Sequence, residues 1–145
     1  MEGAQFSGYC GAMPEQDNEL VHRIYERWNR NDGDLAVDVM APEVEVRQMA
    51  RVFDTAGTFK GHEGLLLAAK ELGDAWETIE WVAEREKKVG DWLVVSLRAV
   101  VAGRYSGVES QIGLVHAWRV RDGLVTDLRV YEKDEQALED VALSK

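Results

Sequence analysis

Gln111-Ile112-Gly113-Leu114-Val115-His116-Ala117-Trp118-Arg119-Val120-Arg121-Asp122-Gly123-Leu124-Val125 is the stretch on which the fold of this chain turns. Successive side chains of a strand point to opposite faces. His116 therefore shares a face with Ile112, Leu114, Trp118 and Val120, while Gln111, Gly113, Val115, Ala117 and Arg119 share the other. The more apolar face is expected inward, which aims an imidazole among hydrophobic neighbours. A buried titratable group needs a partner, a changed pKa or a chemical task. Asp122-Gly123 is a strong two-residue hairpin signal, so the chain returns antiparallel as a last strand over residues 124–132.

The same reading extends backwards. Residues 92–103 place Leu93, Val95, Leu97, Ala99 and Val101 on one face, and Gly103 to Gly107 turn the chain into the His116 strand. Val89-Gly90-Asp91 turns it from an earlier strand, residues 78–88, where Ile79, Trp81 and Ala83 alternate. Strands joined by such short turns run antiparallel.

The N-terminal half has a different period. Residues 14–30 read as a helix, with Pro14 at its first position, Glu15, Asp17 and Glu19 near its positive end, and an apolar stripe of Leu20, Val21, Ile24 and Trp28. Asn31-Asp32-Gly33 stops it. A short second helix is expected over residues 34–40, ending before Ala41-Pro42 because a residue preceding proline avoids the helical region. Val44-Glu45-Val46-Arg47-Gln48-Met49 alternates as a strand, and residues 50–60, with Arg51, Phe53 and Phe59, read as irregular. Gly61-His62-Glu63-Gly64 opens a further helix with Leu65, Ala69, Leu72 and Trp76 inward. Asp134 is expected to cap a final helix bearing Ala137, Leu138 and Val141. Helices over one face of a mostly antiparallel sheet make an α+β layer fold.

Composition narrows the function classes. The chain has 145 residues, 46% of them hydrophobic and 30% charged, which suits one domain with a sizeable core. No apolar run approaches the ~20 residues of a membrane span. A net charge of −10 argues against nucleic acid and anionic membrane surfaces as partners. Cys10 is the single cysteine, so no intrachain disulfide forms, and a reducing, cytoplasmic location is expected. Residues 1–13 show neither a signal-peptide pattern nor periodicity. They read as a disordered extension, with Cys10 outside a single domain spanning residues 14–145. The three histidines lack a zinc-binding spacing and no glycine-rich phosphate loop occurs, so neither a metal nor another cofactor is implied.

Several strings carry a resemblance. They are Tyr25-Glu26-Arg27-Trp28-Asn29 running into Gly33-Asp34-Leu35, Ala41-Pro42-Glu43-Val44-Glu45-Val46, Phe59-Lys60-Gly61-His62-Glu63-Gly64, and Val120-Arg121-Asp122-Gly123-Leu124-Val125. In this order the chain resembles the SnoaL-like branch of the nuclear transport factor 2-like superfamily over residues 14–143. The resemblance implies a cone: a curved antiparallel sheet wrapped around the N-terminal helices, enclosing a deep apolar cavity. Family members include ketosteroid isomerases, polyketide cyclases, epoxide hydrolases, dehydratases and proteins without catalysis, so fold alone does not assign activity. The isomerase pattern of a helix tyrosine, a strand aspartate base and a protonated aspartic acid falls on Ile24, Gln48 and His116. None matches, and Gln48 cannot abstract a proton. Isomerisation by that mechanism is therefore not expected, although Gln48 and His116 both occupy positions that face the cavity in the family.

Gln48 and His116 are accordingly the catalytic candidates. His116 would act as general base or hydrogen-bond donor, with Gln48 orienting a substrate or water. The alternative for His116 is a core histidine bonded to a backbone carbonyl or to Gln48. Burial should keep it neutral unless a carboxylate is near, and Glu132, at the end of the last strand, is the carboxylate to consider. Ile24, Tyr25, Trp28, Leu114, Trp118, Leu128, Val130 and Glu132 are the expected pocket lining. Trp118 has a better claim to the pocket than Trp28 or Trp76, which suit plain core. Arg98, Arg119, Asp127, Arg129 and Tyr131 alternate onto the outer face. The family commonly dimerises there, so these side chains, with Val115 and Ala117, are the expected homodimer surface. His62 reads as structural and His22 as solvated. Two functions stay open: cofactor-independent isomerase, cyclase or hydrolase chemistry on a hydrophobic small molecule, or a non-catalytic ligand-binding or dimerisation module.

Overall fold

The computed structural model describes residues 14–49 and 57–143. The expectations for residues 1–13, Cys10 included, and for Arg51 and Phe53 lie outside the described residues. In chain order the elements are α1 (Glu15–Trp28), a 3-10 turn (Val37–Val39), β1 (Met40–Gln48), β2 (Gly57–Lys60), α2 (Gly61–Ala75), β3 (Trp76–Val89), β4 (Trp92–Gly103), β5 (Glu109–Arg121), β6 (Leu124–Tyr131) and α3 (Asp134–Leu143). The six strands form one sheet in the order β2-β1-β6-β5-β4-β3. All neighbours are antiparallel except β1 and β6, which run parallel. The expected α+β cone, with its curved, unclosed sheet around helices, is what these residues form.

The hairpin at Asp122-Gly123 closes Arg121 against Leu124, and both turn residues take positive φ (54° and 77°), as a tight two-residue turn requires. Register irregularities at Ala83/Arg85 on β3 and Arg119/Val120 on β5 add local bends to long strands. The inner face of the bent sheet carries Leu93, Val95, Leu97, Ala99 and Val101 of β4 with Leu114, Trp118 and Val120 of β5, packed against Val21, Ile24 and Tyr25 of α1 and Leu65 of α2.

Five local expectations are corrected. Residues 34–40 hold only a 3-10 turn, because Ala36 adopts a left-handed φ of 60° and its N–H donates to the Asp34 carboxylate. Strand β1 begins at Met40 and runs through Pro42, which lies inside a register irregularity between Met40 and Glu45 where no ladder N–H is needed. Trp76 starts β3 instead of ending α2, and Phe59 belongs to β2. Asp134 does not cap α3; its carboxylate accepts from Ser96 Oγ at 2.7 Å and Arg85 Nη2 at 2.8 Å.

Helix α3 covers part of the outer face. Beneath it Trp92, Val94, Val115, Ala117 and Tyr131 pack with Ala137 and Val141. The indole of Trp92 lies between the Arg119 and Arg129 guanidiniums, 4.7 and 4.6 Å from its ring centroid. Arg119 pairs with Asp127 at 2.8 Å, while Arg129 and Tyr131 both donate to Asp140 of α3. This corrects the expected dimer surface: Val115, Ala117 and Tyr131 are at most 3% exposed because the chain's own last helix covers them.

The free edge of β3 is closed by side chains that follow α1. The Asn29 amide donates to Trp81 C=O at 2.9 Å and accepts from its N–H at 2.7 Å. Asn31 does the same with Ile79, at 3.2 and 3.3 Å. Each amide imitates a neighbouring strand, which protects an exposed edge. His22, expected to be solvated, meets Glu86 of the same strand at 2.6 Å.

Candidate functional site

Between α2 and the inner sheet face lies a cavity of about 350 Å³. That volume falls within the range of small-molecule sites, roughly 300–1,000 Å³. One wall is α2, where Leu65, Ala69 and Leu72 recur at helical spacing and turn small and apolar side chains to the space. The opposite wall is the sheet, with Val46, Leu128 and Val130. Trp28, Trp76, Trp81 and Phe59 supply aromatic surface. Asn31, Asp34, Glu77 and Arg104 are polar lining residues of intermediate or open exposure. Asp34 is held by Arg27, whose Nε donates to it at 2.8 Å; that hydrogen bond, followed by the Ala36 N–H, lowers its pKa.

The sheet register explains how Gln48 and His116 meet the same space. Gln48 pairs with Val130, and Val130 pairs with His116. The three residues form one row across β1, β6 and β5. Neighbouring strands are ~4.8 Å apart, so the two polar residues stand about 10 Å apart with Val130 between them. Both line the cavity. The Gln48 Oε1 is buried without a hydrogen-bond partner among the described residues. Turning the amide toward a ligand therefore costs that oxygen no existing bond.

His116 is 2% exposed. Tyr25 Oη lies 2.7 Å from its Nδ1, and Trp118 Nε1 donates to the same oxygen at 2.8 Å. Nε2 is the ring nitrogen that Tyr25 does not engage, and the ring is part of the cavity lining. Burial lowers the His116 pKa to about 3, since the imidazolium would lose its hydration, so the ring is neutral at pH 7. Burial likewise raises the Tyr25 pKa, keeping the phenol protonated. The imidazole plane lies within 12° of the Tyr25 ring, with centroids 5.8 Å apart, and tilts against Trp81 at 5.3 Å.

The structure brings Gln48, His116, Trp28, Leu128 and Val130 to the cavity and separates the rest of the expected set. Ile24, Tyr25, Leu114 and Trp118 are buried in the core and are not lining residues. Trp118 shares the His116 face but sits two residues along β5, where α1 covers it, and Trp28 and Trp76 line the space instead. Glu132 follows the end of β6 and is exposed, away from the cavity. Among the described residues His116 is bonded to neither a backbone carbonyl nor Gln48; its partner is Tyr25. The helix stripe contained the signal, because Val21, Tyr25 and Trp28 are spaced four and three residues apart, and a buried tyrosine hydroxyl usually finds a partner. His62, as expected, has a structural contact, its Nε2 lying 3.0 Å from the Met40 carbonyl oxygen. Among the described residues no group of three or more His, Cys, Asp or Glu is placed to hold a metal ion, and no helix is long and apolar enough to cross a membrane.

Residues 21–128 match the SnoaL-like domain, and the chain belongs to this family. Solved structures show the same fold. A nuclear transport factor 2-like protein of unknown function from Burkholderia pseudomallei K96243 is 17% identical with a TM-score of 0.71, covering 86% of this chain and 95% of its own. TerC, co-crystallised with polyporic acid, is 21% identical with a TM-score of 0.71, covering 88% and 98%. A protein described as a SnoaL-like polyketide cyclase from Jannaschia sp. CCS1 is 22% identical with a TM-score of 0.68, covering 92% and 95%. No curated protein matches the sequence.

Proposed function

We propose that this protein binds a hydrophobic, ring-containing small molecule in the cavity and acts on it through His116, without a metal or other cofactor. The observation that carries this reading is the row Gln48-Val130-His116, which sets two polar groups about 10 Å apart on an otherwise apolar wall. Apolar surface supplies affinity, and a few convergent polar groups fix orientation. The aromatic side chains Trp28, Trp76 and Trp81 suit a flat ligand. TerC, of like fold, was co-crystallised with the ring compound polyporic acid, which supports the same ligand class. A reducing, cytoplasmic setting, argued from the single cysteine, belongs to this proposal.

The second reading, a non-catalytic binding module, is favoured by the carboxylates of the cavity. Asp34 is committed to Arg27 and Glu77 is exposed, so neither is a buried base beside His116.

A panel of polycyclic enones, quinones and epoxides tests both. Wild type, His116→Phe and the cavity-filling Ala69→Trp are compared by thermal shift and by turnover. We expect a panel member to raise the wild-type Tm, Ala69→Trp to abolish that shift, and His116→Phe to weaken it. Turnover lost in His116→Phe assigns the enzymatic reading. A thermal shift without turnover assigns the binding module. No shift with any compound overturns both.

A further inference from the structure

We propose that Tyr25, backed by Trp118, is a positioning residue that locks His116 with its proton on Nε2, so that the cavity meets its ligand with a hydrogen-bond donor. An indole N–H only donates, so the Tyr25 oxygen accepts from Trp118. The Tyr25 hydroxyl has one proton, and His116 Nδ1 is its other partner, 2.7 Å away. If Nδ1 carried a proton, the oxygen would receive two donors and its own buried hydrogen would have no partner. An unmatched buried donor disfavours that arrangement by roughly tenfold or more. Nδ1 is therefore the acceptor, and the single imidazole proton sits on Nε2.

In its resting state the ring cannot take a proton through Nε2, so it polarises an oxygen instead of abstracting hydrogen. The ligand atom it meets is then an acceptor: a ketone, quinone or enolate oxygen, not a hydroxyl proton awaiting a base. This consequence rests on the function proposed above; the tautomer itself does not.

The test uses imidazole ¹⁵N spectra of the full, ligand-free chain labelled at histidine, at pH 7, with the His116 signals identified by their loss in His116→Gln. We expect wild type to show Nδ1 unprotonated and Nε2 protonated, in roughly tenfold excess or more over the other tautomer. Tyr25→Phe should bring the two tautomers to comparable populations, and Trp118→Phe should shift them in the same direction by less. A wild-type spectrum with the proton on Nδ1, or a mixture, overturns the proposal. So do variants whose spectra match wild type. Should Tyr25→Phe fail to fold, wild type and Trp118→Phe decide. For the ligand consequence, fluorenone and fluorene are compared: wild type should favour the ketone by about tenfold in Kd, falling to about one in His116→Phe. Equal wild-type affinities overturn the donor role, whereas failure of both to bind counts against the proposed function and leaves the tautomer result standing.

Discussion

His116 is held neutral in the fold with a pKa lowered to about 3, against about 6.5 in an unfolded chain. Between these values the unfolded chain binds a proton that the native chain does not. Stability therefore falls as pH falls through this window, by about 1.4 kcal/mol per pH unit from this one group. Carboxylates with lowered pKa, such as Asp34 beside Arg27 and Asp134 beside Ser96 and Arg85, contribute stability above their unfolded pKa that is lost on further acidification. The comparison runs from about pH 6.5 down to 4.5. Urea midpoints of wild type should decline across it more steeply than those of His116→Gln; parallel declines would remove His116 as the cause. Alternation alone was enough to aim His116 inward. Its partner was not legible because Tyr25 lies 91 residues away in sequence, and only tertiary packing brings the two rings together.

At the scale of elements, the hairpins and the long strands were legible because Asp122-Gly123 and Gly90 have one economical geometry and because β4 keeps an apolar residue at every second position from Leu93 to Val101, although it is apolar on both faces at its start. The segment 34–40 was not. Its composition tolerates a helix, but Asp34 captures the Ala36 N–H and ends helical propagation. The start of α2 shows how tightly one element can depend on another. A Cβ at Gly64 would lie 2.7 Å from the Phe59 carbonyl carbon, closer than side chains tolerate. Gly64→Ala should therefore cost about 1–3 kcal/mol by overpacking against rigid backbone. Denaturant midpoints check this; a change within ~0.5 kcal/mol would mean that β2 yields easily.

For the whole molecule, the sequence showed a sheet with an apolar inner face but not what covers the outer one. Val115, Ala117 and Tyr131 suggested a second copy of the chain, whereas α3 folds back over them. Residues 134–143 are thus part of the core. Truncation after Lys133 should bare Trp92 and its neighbours and give a protein that binds a hydrophobic dye and aggregates. A soluble, cooperatively melting truncation would show that α3 is dispensable. The homodimer, still proposed from the family resemblance, must use surface other than this patch, and sedimentation at micromolar concentration reads it directly.

The asparagine amides on the edge of β3 have a kinetic consequence. Asn31, Gly33, Asp34 and Leu35, which line the cavity, lie in the segment that Asn29 and Asn31 fasten to Trp81 and Ile79. This part of the cavity lining and the sheet margin are in this sense one seam. Displacing that segment would unfasten the two asparagines and bare the amide protons of Ile79 and Trp81 to solvent. Exchange of those two protons should therefore slow together when a ligand fills the cavity.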